Sequence, residues 1–334
     1  MASIRTVGLT LSKRIVAGLV DEAGVAGKLR GYPADEEYDD ALVEMPREHL
    51  LEAMCEQIIA VVNGAPAEGA VSEGIGLVHD QGSRDNGPAS IDAVGVALPG
   101  IVRNGVVEDA PNVPQLKGVR IAAELGQMLR DHGVDAPITA LNDADAVAAG
   151  LAATQGKLQQ LIRVWTVGTG IGFGRYPMID GIGEGGHTVV TLDERESYCG
   201  CGGKGHIEGI MGHRAMRLRF LDMEPEDVFA AAENGDKRCL EFKRLWHRAL
   251  AAGTATSIHM TGAGKFYVTG YNVRFLDLPL LHHYIEQMVR MSPLQGFSVE
   301  IRPEDVRTEV VGAAVIARQA ALASTESLAE AARA

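Results

Sequence analysis

Residues 184–209 read EGGHTVVTLDERESYCGCGGKGHIEG, and four of them could hold a metal ion. Eleven residues separate His187 from Cys199, one lies between Cys199 and Cys201, and four separate Cys201 from His206. Two thiolates and two imidazoles complete the tetrahedron of Zn²⁺, so such a site is structural and closed. Glycines at 200, 202, 203 and 205 let a short loop wrap the ion. The plainer reading is two free thiols beside two unrelated histidines. Glu184 and Glu208 bracket the stretch, and a metal-fixed loop presenting two carboxylates can hydrogen-bond a polyhydroxylated ligand.

Two further groups invite chemistry. Asn142-Asp143 follows an apolar run and opens an alanine-rich helical pattern. Either residue could cap that helix. Asp143 could equally be a carboxylate at the C-terminal end of a strand, the ligand side of an α/β sheet, where it would take a proton as a general base. Gly168-Thr169-Gly170-Ile171-Gly172 follows another apolar run. Its backbone amides and the Thr169 hydroxyl could cradle a phosphate, and a plain glycine hairpin reads the same way. Cys55 and Cys239 sit in helical patterns, where a cysteine is a small buried hydrophobe. His213, His247, His282 and His283 also fall in helical patterns and read as solvated or partly buried.

The elements that must position these groups follow from periodicity. Strands are predicted at 6–11 and 14–21, with a third after Ala23-Gly24, then a helix at 45–63 with Leu50, Leu51, Met54 and Ile58 on one face. Residues 64–90 read as a loop. A strand at 91–98 ends in Pro99-Gly100, and Asn104-Gly105 between β-branched pairs predicts a tight hairpin. Strands and helices then alternate: a helix at 121–132, a strand at 138–141, a helix at 143–154 and a strand at 161–167. The remainder is mostly helical, broken by strands at 266–269 and 298–301 and closed by a helix at 312–323. No sequence repeat is visible. The pattern is that of an α/β protein of two domains with a cleft between them.

Composition limits the functions available. The 334 residues are 46% hydrophobic and 22% charged, a globular balance. Thirty-one basic against 44 acidic side chains leave a net charge of −13, with no basic stripe, which argues against a nucleic-acid partner. No apolar run approaches the roughly 20 residues of a membrane helix, and residues 1–14 lack a signal-peptide core. A cytoplasmic enzyme or binding protein is expected, with its four cysteines reduced.

Taken in order, the motifs resemble those of the ROK family (repressor, open reading frame, kinase) of sugar kinases in the actin–hexokinase superfamily, over nearly the whole chain. The carriers are Pro99-Gly100 with Ala110-Pro111-Asn112, LNDADAVAAG at 141–150, VGTGIGFG at 167–174, EGGH at 184–187 and CGCGGKGHIEG at 199–209. The resemblance implies a two-domain actin-like ATPase (ribonuclease H-like) α/β fold with an interdomain cleft. Its N-terminal domain would span 1–140 plus 311–330, and its C-terminal domain 141–310 would carry the zinc loop. It further implies Asp143 as catalytic base, with Asn112, Asn142, Glu184, His187 and Glu208 on the sugar hydroxyls. Gly168, Thr169, Gly170 and Gly172 would form a phosphate loop for ATP, and Gly270 would belong to an adenosine loop. His187, Cys199 and Cys201 would hold structural zinc, with His206 where the family has a third cysteine. Mg²⁺ with ATP, a polyol substrate and a homodimer complete the expectation.

The chain departs from the family at its first phosphate loop, Asp-x-Gly-Gly-Thr. Leu9 stands at the aspartate, and Leu11-Ser12-Lys13 stand at Gly-Gly-Thr. Thr10, Ser12 and Lys13 could supply donors to the phosphates instead, Lys13 as a point charge. An exposed strand lysine beside Arg14 is the plain alternative. The polyol set with Asp143 favours a kinase acting on a hexose or a sugar-like cyclitol. The Leu9 and Leu11 replacements favour a catalytically inactive sugar sensor. The DNA-binding repressor branch is not expected, because a strand begins where its helix-turn-helix would stand.

Overall fold

The structure is a computed structural model, and it describes residues 5–21, 24, 26–34, 41–64, 91–179 and 183–331. The loop expected at 64–90 lies, from residue 65 on, outside the described residues. The chain forms two compact units, one of residues 1–159, 178–182 and 305–334, the other of 160–177 and 183–304. Elements are numbered in chain order.

The first unit holds β1 (Thr6–Leu11), β2 (Ile15–Val20), β3 (Arg30–Tyr32), α1 (Arg47–Val62), β4 (Ala93–Leu98), β5 (Ile101–Arg103), β6 (Val106–Asp109), α2 (Ile121–Asp131), β7 (Ile138–Asn142), α3 (Asp143–Thr154) and the terminal α9 (Val306–Ala331). Its sheet runs β3-β2-β1-β4-β7. The hairpin β1–β2 is antiparallel, whereas β4 and β7 continue parallel to β1. Parallel strands place their C-terminal ends on one edge, so the Ser12–Arg14 turn and Asp143 emerge on the same side. Asn104 and Gly105 both have positive φ, 51° and 73°, as a two-residue hairpin between β5 and β6 requires.

Glycine explains why α9 lies so close to this sheet. Gly8 pairs with Gly18 on one neighbour and Gly95 on the other. A Cβ at Gly8 or Gly95 would sit 1.9 Å from the carbonyl oxygen of Val310 or Ala313. Likewise a Cβ at Gly312 would meet the Ala146 carbonyl at 1.7 Å, and one at Gly150 the Thr308 carbonyl at 1.8 Å. The α3–α9 pair is therefore a backbone-to-backbone packing. It keeps α3 and β7 in the first unit, so the boundary expected at 140–141 falls inside that unit.

The second unit holds β8 (Ile162–Val167), β9 (Ile171–Tyr176), α4 (Ile207–Met211), α5 (His213–Arg219), α6 (Pro225–Glu233), α7 (Lys237–Thr261), β10 (Lys265–Thr269), α8 (Leu278–Met288) and β11 (Ser298–Ile301). Its sheet, β11-β10-β8-β9, repeats the first design: an antiparallel hairpin β8–β9 with two strands continuing parallel to β8. The repetition is one of topology, although the sequence shows no repeat. It makes the turn after β8 the counterpart of the turn after β1. Trp165, Trp246, Phe229 and Phe266 build this unit's core around α7. His247, read from the sequence as solvated or partly buried, is fully buried there. Its Nδ1 donates to the Lys243 carbonyl at 2.8 Å and its Nε2 accepts from the Asp277 amide at 2.8 Å, so the neutral ring pins the start of α8 to α7. Among the described residues, no helix is long and apolar enough to cross a membrane.

Candidate functional site

In the second unit the four metal-ligand candidates come together. The Cys199 Sγ lies 3.4 Å from His187 Nδ1 and 3.4 Å from Cys201 Sγ, and Cys201 Sγ lies 3.3 Å from His206 Nδ1. All four ligand atoms fall within 4.8 Å of one another. A tetrahedral Zn²⁺ with bonds of about 2.0–2.3 Å separates its ligands by about 3.3–3.8 Å, so the donor set fits the ion in type, and the three short separations fit it in spacing. Backbone pairing shapes the loop: Ile207 N–H donates to the Thr188 carbonyl and Val190 N–H to the Gly205 carbonyl. Burial, reinforced by the neighbouring Glu208 charge, pushes the Cys199 thiol up to about 12. A thiolate there depends on a cation. The other nitrogen of His187, Nε2, faces Glu184 Oε2 at 4.0 Å, beyond hydrogen-bond reach.

Glu208 joins this cluster to the turn after β8. One carboxylate oxygen lies 3.4 Å from Cys199 Sγ, and the other accepts the Ile171 N–H at 3.2 Å. The turn itself is braced from behind. The Gly168 carbonyl accepts from His213 N–H at 3.0 Å and from Asn272 Nδ2 at 3.1 Å, while the Thr169 carbonyl accepts from Arg214 N–H at 3.3 Å. Because Asn272 must donate through Nδ2, its Oδ1 faces His213 Nδ1 at 3.3 Å, which makes Nδ1 the protonated nitrogen of that imidazole. Tyr271 packs edge-on against His213, ring centres 5.3 Å apart, and its hydroxyl lies 3.4 Å from Thr169 Oγ1. Gly270 starts this segment at φ 102°. A cavity of about 790 Å³ opens beside the turn, with Thr169, His213, Arg214, Arg217, Asp227 and Tyr271 among its walls.

In the first unit, Asn142 is the cap of α3: its Oδ1 accepts from the Ala144 and Asp145 amides at 2.8 and 3.4 Å, and its Nδ2 donates to the Gly100 carbonyl at 2.9 Å. Asp143 is the first residue of the helix, half-buried, with Oδ1 2.8 Å from the Ala144 amide nitrogen. Asn112 is exposed, just past the β5–β6 hairpin. Leu9 and Leu11 are fully buried in the apolar core, so β1 presents no carboxylate. Ser12 and Lys13 are exposed at the turn tip. Thr10 is buried, and its hydroxyl donates to the Glu309 carboxylate on α9.

The sequence reading did not single out Asn272, His213, Arg214 or Glu309. Asn272 lies two residues past Gly270 of the expected adenosine loop, and His213 reads as one helical histidine among several. Glu309 lies 299 residues from the threonine it meets.

Comparison with known proteins agrees with the motifs. The family model described as ROK family matches residues 35–320. A glucokinase from Pyrobaculum calidifontis is 27% identical over 251 residues, covering 68% of this chain and 78% of that protein. An N-acetylmannosamine kinase from Haemophilus influenzae is 30% identical over 207 residues, covering 58% and 68%. The ROK hexokinase structure from Thermus thermophilus superposes with a TM-score of 0.69 at 23% identity, covering 95% of this chain and 98% of its own. The fold is that of the actin-like ATPases.

Proposed function

Since the chain belongs to the ROK family, we propose that it is an ATP-dependent kinase that phosphorylates a hydroxyl of a hexose or a sugar-like cyclitol, with Asp143 as general base. The observation that carries this reading is the division of labour at Asn142-Asp143. Asn142 caps α3, which leaves Asp143 as a carboxylate at the C-terminal edge of the sheet without need of it as the cap. A protein that only binds a sugar has no use for a base there. The kinase names of two relatives point to the same class of acceptor.

Asn112, Asn142, Glu184, His187 and Glu208 would bind the acceptor's hydroxyls. Asp143 would accept the proton of the attacking hydroxyl, a role worth about 10²–10⁴ in rate. The turn Gly168–Gly172 and the adjoining cavity, with Gly270, would take the nucleotide, and Ser12 and Lys13 would be donors to its phosphates. Thr10, its hydroxyl committed to Glu309, would shape that turn rather than donate. Bound with ATP, magnesium would neutralise phosphate charge; Asp143 and Glu309 are oxygen ligands of the type it takes. Structural zinc on His187, Cys199, Cys201 and His206 would fix the loop that carries Glu184 and Glu208. A cytoplasmic homodimer is part of the same reading.

The alternative is a non-catalytic sugar sensor, favoured by the burial of Leu9, where the family has an aspartate, and of Leu11, where it has a glycine. ADP release with Mg·ATP across hexoses, amino sugars and cyclitols separates the two. Turnover on one compound supports the kinase, and silence with sugar binding retained supports the sensor.

A further inference from the structure

Two cationic side chains, Arg214 and Arg217, line the cavity beside the Gly168–Gly172 turn, next to the His213 imidazole. Of the two arginines, Arg217 is neutralised by Glu224 at 3.2 Å. The acidic wall is partly answered as well, since Asp222 pairs with Arg238 at 3.0 Å. Arg214 makes no ion pair among the described residues, and it is exposed. Its backbone is fixed, because its own amide is bonded to the Thr169 carbonyl. Its guanidinium extends from there towards the metal loop: a Cβ built on Gly200 would lie 2.8 Å from Arg214 Nη1 and 3.9 Å from Glu208 Oε1. The charge thus spans from the turn expected to hold phosphates to the carboxylate expected to hold the acceptor.

The planar fork of donors on a guanidinium matches carboxylate and phosphate alike, and at the turn expected to hold phosphates the matching ligand is a polyphosphate. Phosphoryl transfer runs almost wholly on positioning and charge stabilisation, and an arginine on the transferred group carries a large share in enzymes that use one.

We propose that Arg214 binds the terminal phosphates of the nucleotide and supplies charge to them at the Gly168–Gly172 turn. This rests on the kinase reading above. It makes Arg214 selective for the phosphate chain and indifferent to the nucleoside.

Calorimetry with a non-hydrolysable ATP analogue, ADP, AMP and adenosine on wild type, Arg214→Lys and Arg214→Met tests it. Arg214→Met should weaken the ATP analogue and ADP by tenfold or more and leave adenosine unchanged. Arg214→Lys should lose less, because it keeps a point charge without the fork. Zinc content and thermal midpoint, measured alongside, should not move in either variant. In wild type, affinity for the ATP analogue should fall with added salt while that for adenosine holds, a result that needs no variant to fold. Wild type that binds the analogue with no salt dependence, or an Arg214→Met variant with unchanged or uniformly weakened binding, overturns the assignment. Wild type that binds no nucleotide at all overturns the donor reading itself, and Arg214's role with it.

Discussion

Replacing Asn272 by alanine removes the brace behind the Gly168 turn. The side chain is fully buried and makes two hydrogen bonds, Nδ2 to the Gly168 carbonyl at 3.1 Å and Oδ1 to His213 Nδ1 at 3.3 Å. The carbonyl keeps its bond from His213 N–H, and the half-buried imidazole can take water, so neither partner is left fully orphaned. Two net hydrogen bonds are then worth about 1–3 kcal/mol. In a domain of this size each kcal/mol lowers the thermal midpoint by about 2–4 °C. Asn272→Asp is the sharper probe, because it keeps an acceptor for His213 but turns a carboxylate oxygen on the Gly168 carbonyl. It should unfold at or below the temperature of Asn272→Ala. Both variants should weaken binding of an ATP analogue, read by calorimetry beside thermal circular dichroism. An Asn272→Asp protein as stable as wild type would refute the amide orientation, and with it the assigned His213 tautomer.

Other outcomes follow from separate parts of the molecule. Protein purified without chelators should carry one zinc per chain by elemental mass spectrometry, and His206→Ala should lose it; well under one zinc in wild type contradicts the Cys2His2 site. Burial lowers the pKa of His247 below its ordinary 6.5, so the unfolded chain takes up a proton first as pH falls. Stability should therefore be level above about pH 6.5 and decline below it, and His247→Gln should flatten that decline in urea titrations. Gly312→Ala forces a Cβ to within 1.7 Å of the Ala146 carbonyl, a backbone atom that cannot swing aside. It should cost about 3 kcal/mol or more, seen as a lower urea midpoint at unchanged slope.

Local chemistry made much of this legible. Asn104-Gly105 predicted its hairpin because few dipeptides tolerate two positive φ angles, and the helix at 143–154 appears as α3 with the same bounds. The Cys2His2 candidates converge because glycines and a two-stranded pairing close a short loop, a local event. What escaped the sequence is long-range. Asn272 meets Gly168 across 104 residues, and Thr10 meets Glu309 across 299, contacts that no local period records. The place of α3 escapes the sequence for the same reason, since it is decided by Gly312 of α9 and Gly150 of α3, which let the two backbones meet. His247 shows the limit of reading helices by one face: α7 is buried on several sides, and the histidine is paid for by two hydrogen bonds to neighbouring backbone.

The decisive measurement is direct detection of a phosphorylated product. Wild type and Asp143→Asn would be incubated with Mg·ATP and each hexose, amino sugar and cyclitol, and the products followed by mass spectrometry. The expected result is one added phosphate on a single acceptor class, formed about 10²–10⁴-fold more slowly by Asp143→Asn. A product formed equally fast by both proteins would remove Asp143 from the chemistry. No product from any acceptor, with sugar binding intact by calorimetry, would contradict the kinase and leave the sensor.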